Sequence, residues 1–555
     1  MRRCLALVAT LLFSALAVAG NGTGKQTVCT VTVNSPDEKQ AFQRYLPADK
    51  YQFVELVEHG REDWLDAACR TGVQCDVLVI SGHYDGGHEF FSDRIEAREY
   101  LPVSELERAS CSDSCPGLFA KLKEVYLFGC NTLNPEPQRS VPAEITRNLV
   151  QGGMPRAEAD RVVRALNARH GASAKDRIRQ VFKDVPAIYG FSSVAPLGPV
   201  AGGILARYFQ GGRGEVGTGR ANGRLISTFA AHGFTVTRGI SDAEPAAEVR
   251  RDVCQFVDGR MSQAQRTTFV HELLRRPMPE VRMFLDRLEQ YAAARHPDAK
   301  SRSGDAADPA LADAETALAR DDATRERFMA FARDTDDVAT RARMIGLAGE
   351  FHWLTRDERR TELARMAGEI LASNRAGAAD VDVVCGLNRD GDLDGALDGI
   401  DVEGARDTVA NGAVRACLGD GAGRTQVLEA LATGTTQDVQ VAQAYLRHQP
   451  IDDPAELRGI VAAIARMPAG EAQVRALQAI GEHRLSDPQS IETLARLFPA
   501  APTWDVQSAI AGVLIRADYQ TIARPEVVAT MQQHRHKSPH GADLIDALIR
   551  RLQAN

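Results

Sequence analysis

Between residue 27 and about residue 210, short apolar runs alternate with segments whose apolar residues recur at helical spacing. The runs are apolar throughout, which is typical of parallel strands that are buried on both faces. Strands that alternate with helices pair in parallel, because each crossover needs a helix-length segment to return the chain. We therefore expect an α/β domain whose parallel sheet carries helices on both faces. Its predicted strands are residues 27–34, 51–58, 75–82, 124–130 and 186–193.

The connections between these strands are predicted to be helical. Segments 37–46 and 62–70 fit single helices, and 199–210 fits a helix after the last strand. Segment 131–185 is longer than an ordinary crossover, and we expect it to lie beside the carboxyl rim of the sheet. Residues 211–223 are glycine-rich, but no strand precedes them and no Lys-Ser or Lys-Thr follows, so a flexible loop is favoured over a phosphate-binding loop.

The C-terminal half of the chain has a different pattern, because its apolar residues recur only at helical spacing. Two successive helix pairs carry an Asp-Pro before their second helix, at Asp453 and Asp487, and a closing proline at Pro468 and Pro499. These marks recur after 34 and 31 residues, so the pairs resemble degenerate HEAT repeats. An irregular helical bundle is the alternative.

The first 19 residues have the features of a secretory signal peptide: Arg2 and Arg3, a short apolar run and an A-x-A cleavage site. No other run reaches the ~20 apolar residues that a spanning helix needs. We expect a periplasmic or secreted protein with an α/β domain over 20–240 and an all-α repeat domain over 241–555. Its formal charge of −8 argues against a nucleic-acid partner, since phosphates attract clustered Lys and Arg.

The cysteine count predicts a free thiol. Of 10 cysteines, Cys4 would leave with the signal peptide, and the remaining odd number would lie in an oxidising compartment. Eight cysteines allow about 105 pairings, so any one pairing is a hypothesis. Proximity in the sequence suggests one in which Cys130 stays free. Its pairs are Cys69 with Cys75, Cys111 with Cys115, Cys385 with Cys417, and Cys29 with Cys254.

Two of the predicted strands end in a side chain that can do chemistry. Strand 75–82 is followed by His83, and strand 124–130 ends in Cys130. Open α/β sheets bind ligands at the carboxyl ends of their strands, and neighbouring strand tips lie ~5 Å apart. An imidazole at that spacing can activate a thiol, and nearby glycines leave main-chain N–H groups to hold an oxyanion. His88, further into the loop, is a second candidate base.

An apolar strand ending in Gly-His, followed by an apolar strand ending in Gly-Cys, resembles the caspase-like cysteine peptidases. That group includes gingipains, clostripain, legumain, separase and the CHAT domains, and its histidine follows the third strand and its cysteine the fourth. The resemblance implies that Cys130 is the nucleophile and His83 the general base or orienting group. Main-chain N–H groups around Gly82 and Gly129 would form the oxyanion hole. Tyr84 is a departure, because the group usually has glycine directly after the histidine.

The resemblance implies an exported endopeptidase that works through an acyl-enzyme on a protein or peptide substrate and requires no cofactor. The alternative is a catalytically inactive caspase-like fold whose helical repeats hold a protein partner. No dinucleotide fingerprint, Walker loop or zinc-ligand cluster in the sequence indicates another chemistry. Asp85, Glu89 and Asp93 lie near the active loop and would suit a basic side chain of the substrate.

An acidic stretch, DGDLDGALDGID, interrupts the helical domain at residues 390–401. Its aspartates fall at positions one, three, five, nine and twelve, with Gly395 at six, which is the spacing of an EF-hand or dockerin-type calcium loop. A structural calcium ion is one interpretation, and an acidic turn between helices is the other. The calcium ligands would be Asp390, Asp392, Asp394, Asp398 and Asp401.

Overall fold

The fold is described from a computed structural model of the chain, which divides into two compact units. The first unit ends at Phe269 and the second begins at Val270, so the first extends beyond residue 240, the predicted boundary. In the residues described, no helix is long and apolar enough to cross a membrane. The structure describes residues 24–57, 65–86, 89–92, 99–111, 115, 117–136, 141–170, 173–212, 215–295, 308–397, 405–482, 484–518, 521–537 and 544–553. The predicted signal peptide lies outside them.

The strands of the first unit form two sheets. They are β1 (Gln26–Thr32), β2 (Tyr51–Val57), β3 (Val77–Ser81), β4 (His83–Tyr84), β5 (Glu89–Phe91), β6 (Tyr100–Pro102), β7 (Glu124–Phe128), β8 (Ala187–Phe191) and β9 (Phe234–Thr237). The central sheet has the order β2-β1-β3-β7-β8-β9, and all its pairings are parallel except that of β9 with β8. The predicted α/β class and mostly parallel sheet are therefore confirmed.

Helices cover both faces of the central sheet, as predicted. On β3, Val77 and Val79 point into one core and Leu78 and Ile80 into the other. The helices of this unit are α1 (Asp37–Tyr45), α2 (Asp66–Arg70), α3 (Val103–Ser110), α4 (Val141–Gln151), α5 (Arg156–His170), α6 (Ala174–Val181), α7 (Gly198–Gln210), α8 (Gly223–Thr228) and α9 (Ala246–Val257). Helices α1 and α7 pack on the first face, and α3 and α6 pack on the second.

The rest of the described chain is helical. Its helices are α10 (Gln263–Leu274), α11 (Met278–Met283), α12 (Leu285–Arg295), α13 (Pro309–Ala319), α14 (Asp322–Arg333), α15 (Val338–Glu350), α16 (Arg356–Ser373), α17 (Ala378–Leu387), α18 (Val409–Cys417), α19 (Gly421–Thr433), α20 (Thr436–Leu446), α21 (Pro454–Ala465), α22 (Glu471–Ile480), α23 (Pro488–Leu497), α24 (Trp504–Leu514), α25 (Pro525–His534) and α26 (Leu544–Gln553). Helices α19 to α24 contact their next-but-one neighbours, as stacked helix pairs do.

The Asp-Pro marks in this unit are helix starts. The carboxylate of Asp453 accepts the main-chain N–H of Ala455, and that of Asp487 accepts the N–H of Ser490. The proline that follows each aspartate occupies the first turn, where its missing N–H costs no hydrogen bond. The predicted helix pairs are therefore confirmed, and their boundaries follow from local capping chemistry.

The disulfides correct three of the four predicted pairs. They join Cys29 to Cys75, Cys69 to Cys115, Cys111 to Cys254, and Cys385 to Cys417, and Cys130 is free as predicted. Proximity in the sequence was a wrong guide because pairing of the strands decides which cysteines meet. Cys29 lies in β1, Cys75 precedes the adjacent β3, and their Cα atoms are 5.6 Å apart.

The glycine-rich loop before α8 binds a carboxylate supplied by the chain itself. Glu124, at the start of β7, is 1% exposed. Its side chain accepts main-chain N–H groups of Gly217 at 2.8 Å, Thr218 at 2.9 Å and Gly219 at 3.0 Å. Both glycines have positive φ, which turns successive N–H groups toward one point. The expected flexible loop is therefore, at residues 217–219, an ordered anion cradle.

Replacing Glu124 with Gln is expected to lower the free energy of unfolding by about 2–4 kcal/mol, because buried N–H donors would face a neutral amide that is itself partly a donor. Urea unfolding followed by circular dichroism measures the change. Glu158→Gln, on the exposed surface of α5, is the matched control and should stay within about 0.5 kcal/mol of wild type. Equal stabilities of the two variants would contradict the prediction.

Candidate active site

The candidate site lies where β3 and β7 end side by side. These strands are parallel and in register, with Ser81 opposite Phe128. The pairing continues one residue further, since the N–H of Gly82 donates to the carbonyl of Phe128 at 3.2 Å. His83 follows Gly82 directly, and Cys130 stands at the corresponding position after Phe128. The tips that carry the predicted base and nucleophile are therefore adjacent, at a strand spacing of ~5 Å.

The two tips touch because one of them carries a glycine. A Cβ on Gly129 would lie 2.8 Å from the Cβ of Tyr84 and 2.9 Å from the carbonyl oxygen of Gly82. No side chain fits in that space, so glycine is required at 129 for close approach. The N–H of Gly82 is engaged with β7, so an oxyanion at this edge needs a different main-chain donor.

Cys130 has a half-buried thiol. Its Sγ accepts a hydrogen bond from the main-chain N–H of Ala195 at 3.3 Å. Ala195 belongs to the loop between β8 and α7, which was not singled out in the sequence because a main-chain donor has no side-chain signature. An N–H group directed at the sulphur is suited to hold negative charge that develops there.

The turn after Cys130 is fixed to β8. Asn131 adopts the left-handed conformation, with φ 59°, and its N–H donates to the carbonyl of Ser193 at 2.8 Å. Thr132 is fully buried, and its hydroxyl accepts the N–H of Phe191 at 3.1 Å. A Cβ on Gly190 would lie 2.5 Å from that hydroxyl oxygen, so a glycine is needed here too. These contacts hold the thiol in one position relative to Ala195.

His83 begins the small antiparallel sheet β4-β5-β6. In that sheet His83 stands opposite Phe91, which stands opposite Tyr100. The His83 and Phe91 rings contact, with centroids 5.4 Å apart. Because side chains alternate along a strand, these three residues share the face turned away from the core. His88, the second candidate base, lies outside the described residues.

Tyr84, on the other face of the small sheet, is a core residue. Its ring is 4% exposed and packs against Phe90 with centroids 4.7 Å apart. Burial raises the pKa of Tyr84, and among the described residues its hydroxyl has no hydrogen-bond partner. The phenol ring of Tyr84 therefore belongs to the core, and the main-chain oxyanion hole stays a prediction.

A buried carboxyl group that was missed in the sequence lies at the same edge of the sheet. Glu38 is in the first turn of α1, directly after β1, and is 3% exposed. Burial raises the pKa of Glu38 to about 7, while a hydrogen bond from its own main-chain N–H and the nearby hydroxyls of Ser81 and Ser35 lower it less. Within the described chain, its Oε2 has no hydrogen-bond partner. Glu38 therefore changes charge near neutral pH. It lies beside Ser81, the residue that precedes Gly82.

Two of the three described candidate calcium ligands pair with other groups of the protein. The carboxylate of Asp392 pairs with Arg356, and the carboxylate of Asp394 accepts the side-chain amide of Asn388 at 2.7 Å. Across the described residues, no three His, Cys, Asp or Glu side chains are placed to share a metal ion. Asp398 and Asp401 lie outside these residues, so the calcium site stays a prediction.

Comparison of the chain with family models, with curated proteins and with solved structures found no match. The chemistry of the site must therefore be inferred from its own geometry. A free thiol, an imidazole on the adjacent strand tip, and a main-chain N–H at the sulphur together suit nucleophilic attack by sulphur.

Replacing Glu38 with Gln is expected to stabilise the protein at alkaline pH. The folded-state pKa of Glu38 lies above its unfolded value of about 4.5, so wild-type stability falls as the pH rises from about 4.5 to about 7. Glutamine carries no charge to desolvate, so the variant should gain on the order of 3 kcal/mol over wild type at pH 8. Urea unfolding between pH 4.5 and 8 tests this, with Glu158→Gln as control. A gain that does not shrink toward pH 4.5 would contradict it.

Proposed function

We propose that the first unit is a caspase-like cysteine peptidase, with Cys130 as the nucleophile and His83 as the general base. The observation that carries the proposal is the adjacency of the β3 and β7 tips, which bear these two residues. Along the chain, β3 is the third strand of the central sheet and β7 the fourth. The order of histidine and cysteine is therefore the order of the caspase-like peptidases.

Cys130 is also the cysteine that the disulfides leave free. Every other cysteine in the described chain is paired, so a thiol persists only at the strand tip. Four disulfides fit a protein that leaves the cytoplasm, and we place this one in the periplasm or outside the cell. A reactive thiol in such a compartment needs protection from pairing, and the half-buried position of Cys130 supplies some.

The reaction follows from these groups. As the sulphur of Cys130 attacks the peptide carbonyl carbon, a C–S bond forms and the thiol proton passes to His83. Collapse of the intermediate breaks the C–N bond, and His83 returns the proton to the departing amine. Water then attacks the thioester and gives a proton to His83. The C–S bond breaks, a carboxylic acid is released, and the proton restores the thiol.

Loss of His83 is expected to slow alkylation of Cys130 by iodoacetamide at least about tenfold near neutral pH, and to reduce kcat/KM for peptide hydrolysis by about 10²–10⁴. The variant is His83→Asn. His352→Asn, which removes an exposed imidazole in the second unit, is the control and should match wild type. Mass spectrometry of the non-reduced protein measures alkylation, and a peptide library with Cys130→Ala as blank measures hydrolysis.

The proposal would be overturned if Cys130 did not react with iodoacetamide, or if its alkylation rate were the same in wild type and in His83→Asn. Hydrolysis that survives in Cys130→Ala would overturn it too.

A further inference from the structure

Exposed apolar side chains are concentrated beside the thiol. Val194 is 70% exposed, Leu197 66% and Val200 52%. In the described part of the chain only six large apolar side chains are exposed, and these three fall within seven residues. We call them the apolar ridge. Ala195, whose N–H donates to the sulphur of Cys130, lies between the first two of them.

The ridge is held in place by the fold. Ser192, before it, donates its N–H to the carbonyl of Gly233, and the carbonyl of Ser193 accepts the N–H of Asn131. Helix α7 begins directly after Leu197, and a Cβ on Gly198 would lie 2.0 Å from the hydroxyl oxygen of Ser35. The first turn of α7 therefore lies directly on the segment before α1, so the ridge is preformed and points outward.

A second apolar surface adjoins His83. It is the outer face of the small sheet, where Phe91 and Tyr100 continue the row that begins at His83. The buried face of this sheet joins the core that contains α3 and α6, whereas α7 belongs to the core on the opposite face. The small sheet and α7 therefore belong to opposite faces of the central sheet, and the strand tips that carry His83 and Cys130 lie at the edge where these faces meet.

The lack of charged side chains on the ridge favours an apolar substrate over a basic one. Residues 191–206, which contain the whole ridge, include no charged side chain. The acidic residues Asp85 and Glu89 belong to the small sheet and its turn, where the carboxylate of Asp85 accepts the N–H of Glu89 at 3.1 Å, so neither is part of the ridge. Asp93 lies outside the described residues. A basic side chain would find no counter-ion on the ridge, whereas an apolar one would remove exposed apolar surface from water.

We propose that the site selects extended peptides with large apolar side chains next to the scissile bond, and that Val194, Leu197 and Val200 are its specificity-determining residues. This inference rests on the proposed peptidase function. A peptide whose carbonyl reaches the sulphur of Cys130 must pass Ala195, so its neighbouring side chains contact the ridge. Substrate binding buries both surfaces at once, which gives an apolar substrate its advantage.

The test uses the full-length mature chain and two peptidyl chloromethyl ketones of equal length, one with leucine and phenylalanine side chains and one with serine and glycine. Each labels Cys130 with loss of chloride, and each rate is divided by the iodoacetamide rate of the same variant. In wild type the apolar probe should react at least about tenfold faster than the polar one. The variant V194T/L197N/V200T keeps side-chain size but adds polar atoms, and it should lose most of that preference.

Val150→Thr, on α4, is the matched control because Val150 is also an exposed valine, and it should keep the wild-type ratio. Equal ratios in wild type and the triple variant would overturn the inference while leaving the peptidase proposal intact. Labelling of Cys130 by iodoacetamide but by neither ketone would overturn the inference, and loss of peptide-library hydrolysis in Cys130→Ala would then show whether the peptidase proposal still stands. A wild-type dimer that the triple variant abolishes in native mass spectrometry would assign the ridge to a second copy of the chain and overturn the inference.

Discussion

The candidate site depends on the parallel pairing of β3 with β7. Their register places Gly82 beside Phe128, and the main chains then approach so closely that Gly129 has no room for a side chain. If either strand slipped by one residue, the histidine and the cysteine would no longer leave the sheet at the same level, and one of them would turn to the other face. The chemistry of the edge is thus a consequence of strand register.

The two ends of β7 have opposite roles. At its start, the carboxylate of Glu124 satisfies three main-chain N–H groups of the 217–219 turn, which closes that edge with the chain's own atoms. At its end, Cys130 stands among open loops with one N–H directed at its sulphur. A buried charge is stable in the first position because the donors around it are fixed, and the second position remains accessible for a ligand.

Ionisation of Glu38, near this edge of the sheet, makes the folding stability of the protein depend on pH. Glu38 titrates around neutral pH because it is buried beside Ser81, and Ser81 is the last residue of β3 before Gly82. The protein therefore carries an unfavourable charge under its candidate active edge at alkaline pH. Ionisable groups with shifted pKa values are common at functional sites, where the role of a residue, rather than its contribution to stability, decides which amino acid is present. The disulfides, including the one that joins the end of α3 to α9, offset such local costs by restricting the unfolded chain.

Local patterns in the sequence were enough to predict the α/β class, the two apolar strands that lead to His83 and Cys130, the helix starts at Asp453 and Asp487, and a free Cys130. Hydrophobic periodicity and helix capping depend on a few neighbouring residues, and the free thiol follows from an odd number of cysteines. The antiparallel β9 and the two- and three-residue strands of the small sheet were missed, because strands so short have no recognisable period.

Only the tertiary structure decided which cysteines pair, which main-chain N–H reaches the sulphur, what fills the glycine-rich loop, and which carboxyl is buried beneath the site. Cys29 meets Cys75, Ala195 meets Cys130, and Glu124 meets Gly217 across 46, 65 and 93 residues of sequence. Contacts at such separations depend on how strands are ordered and registered in the sheet, and a local pattern in the chain has no information about either.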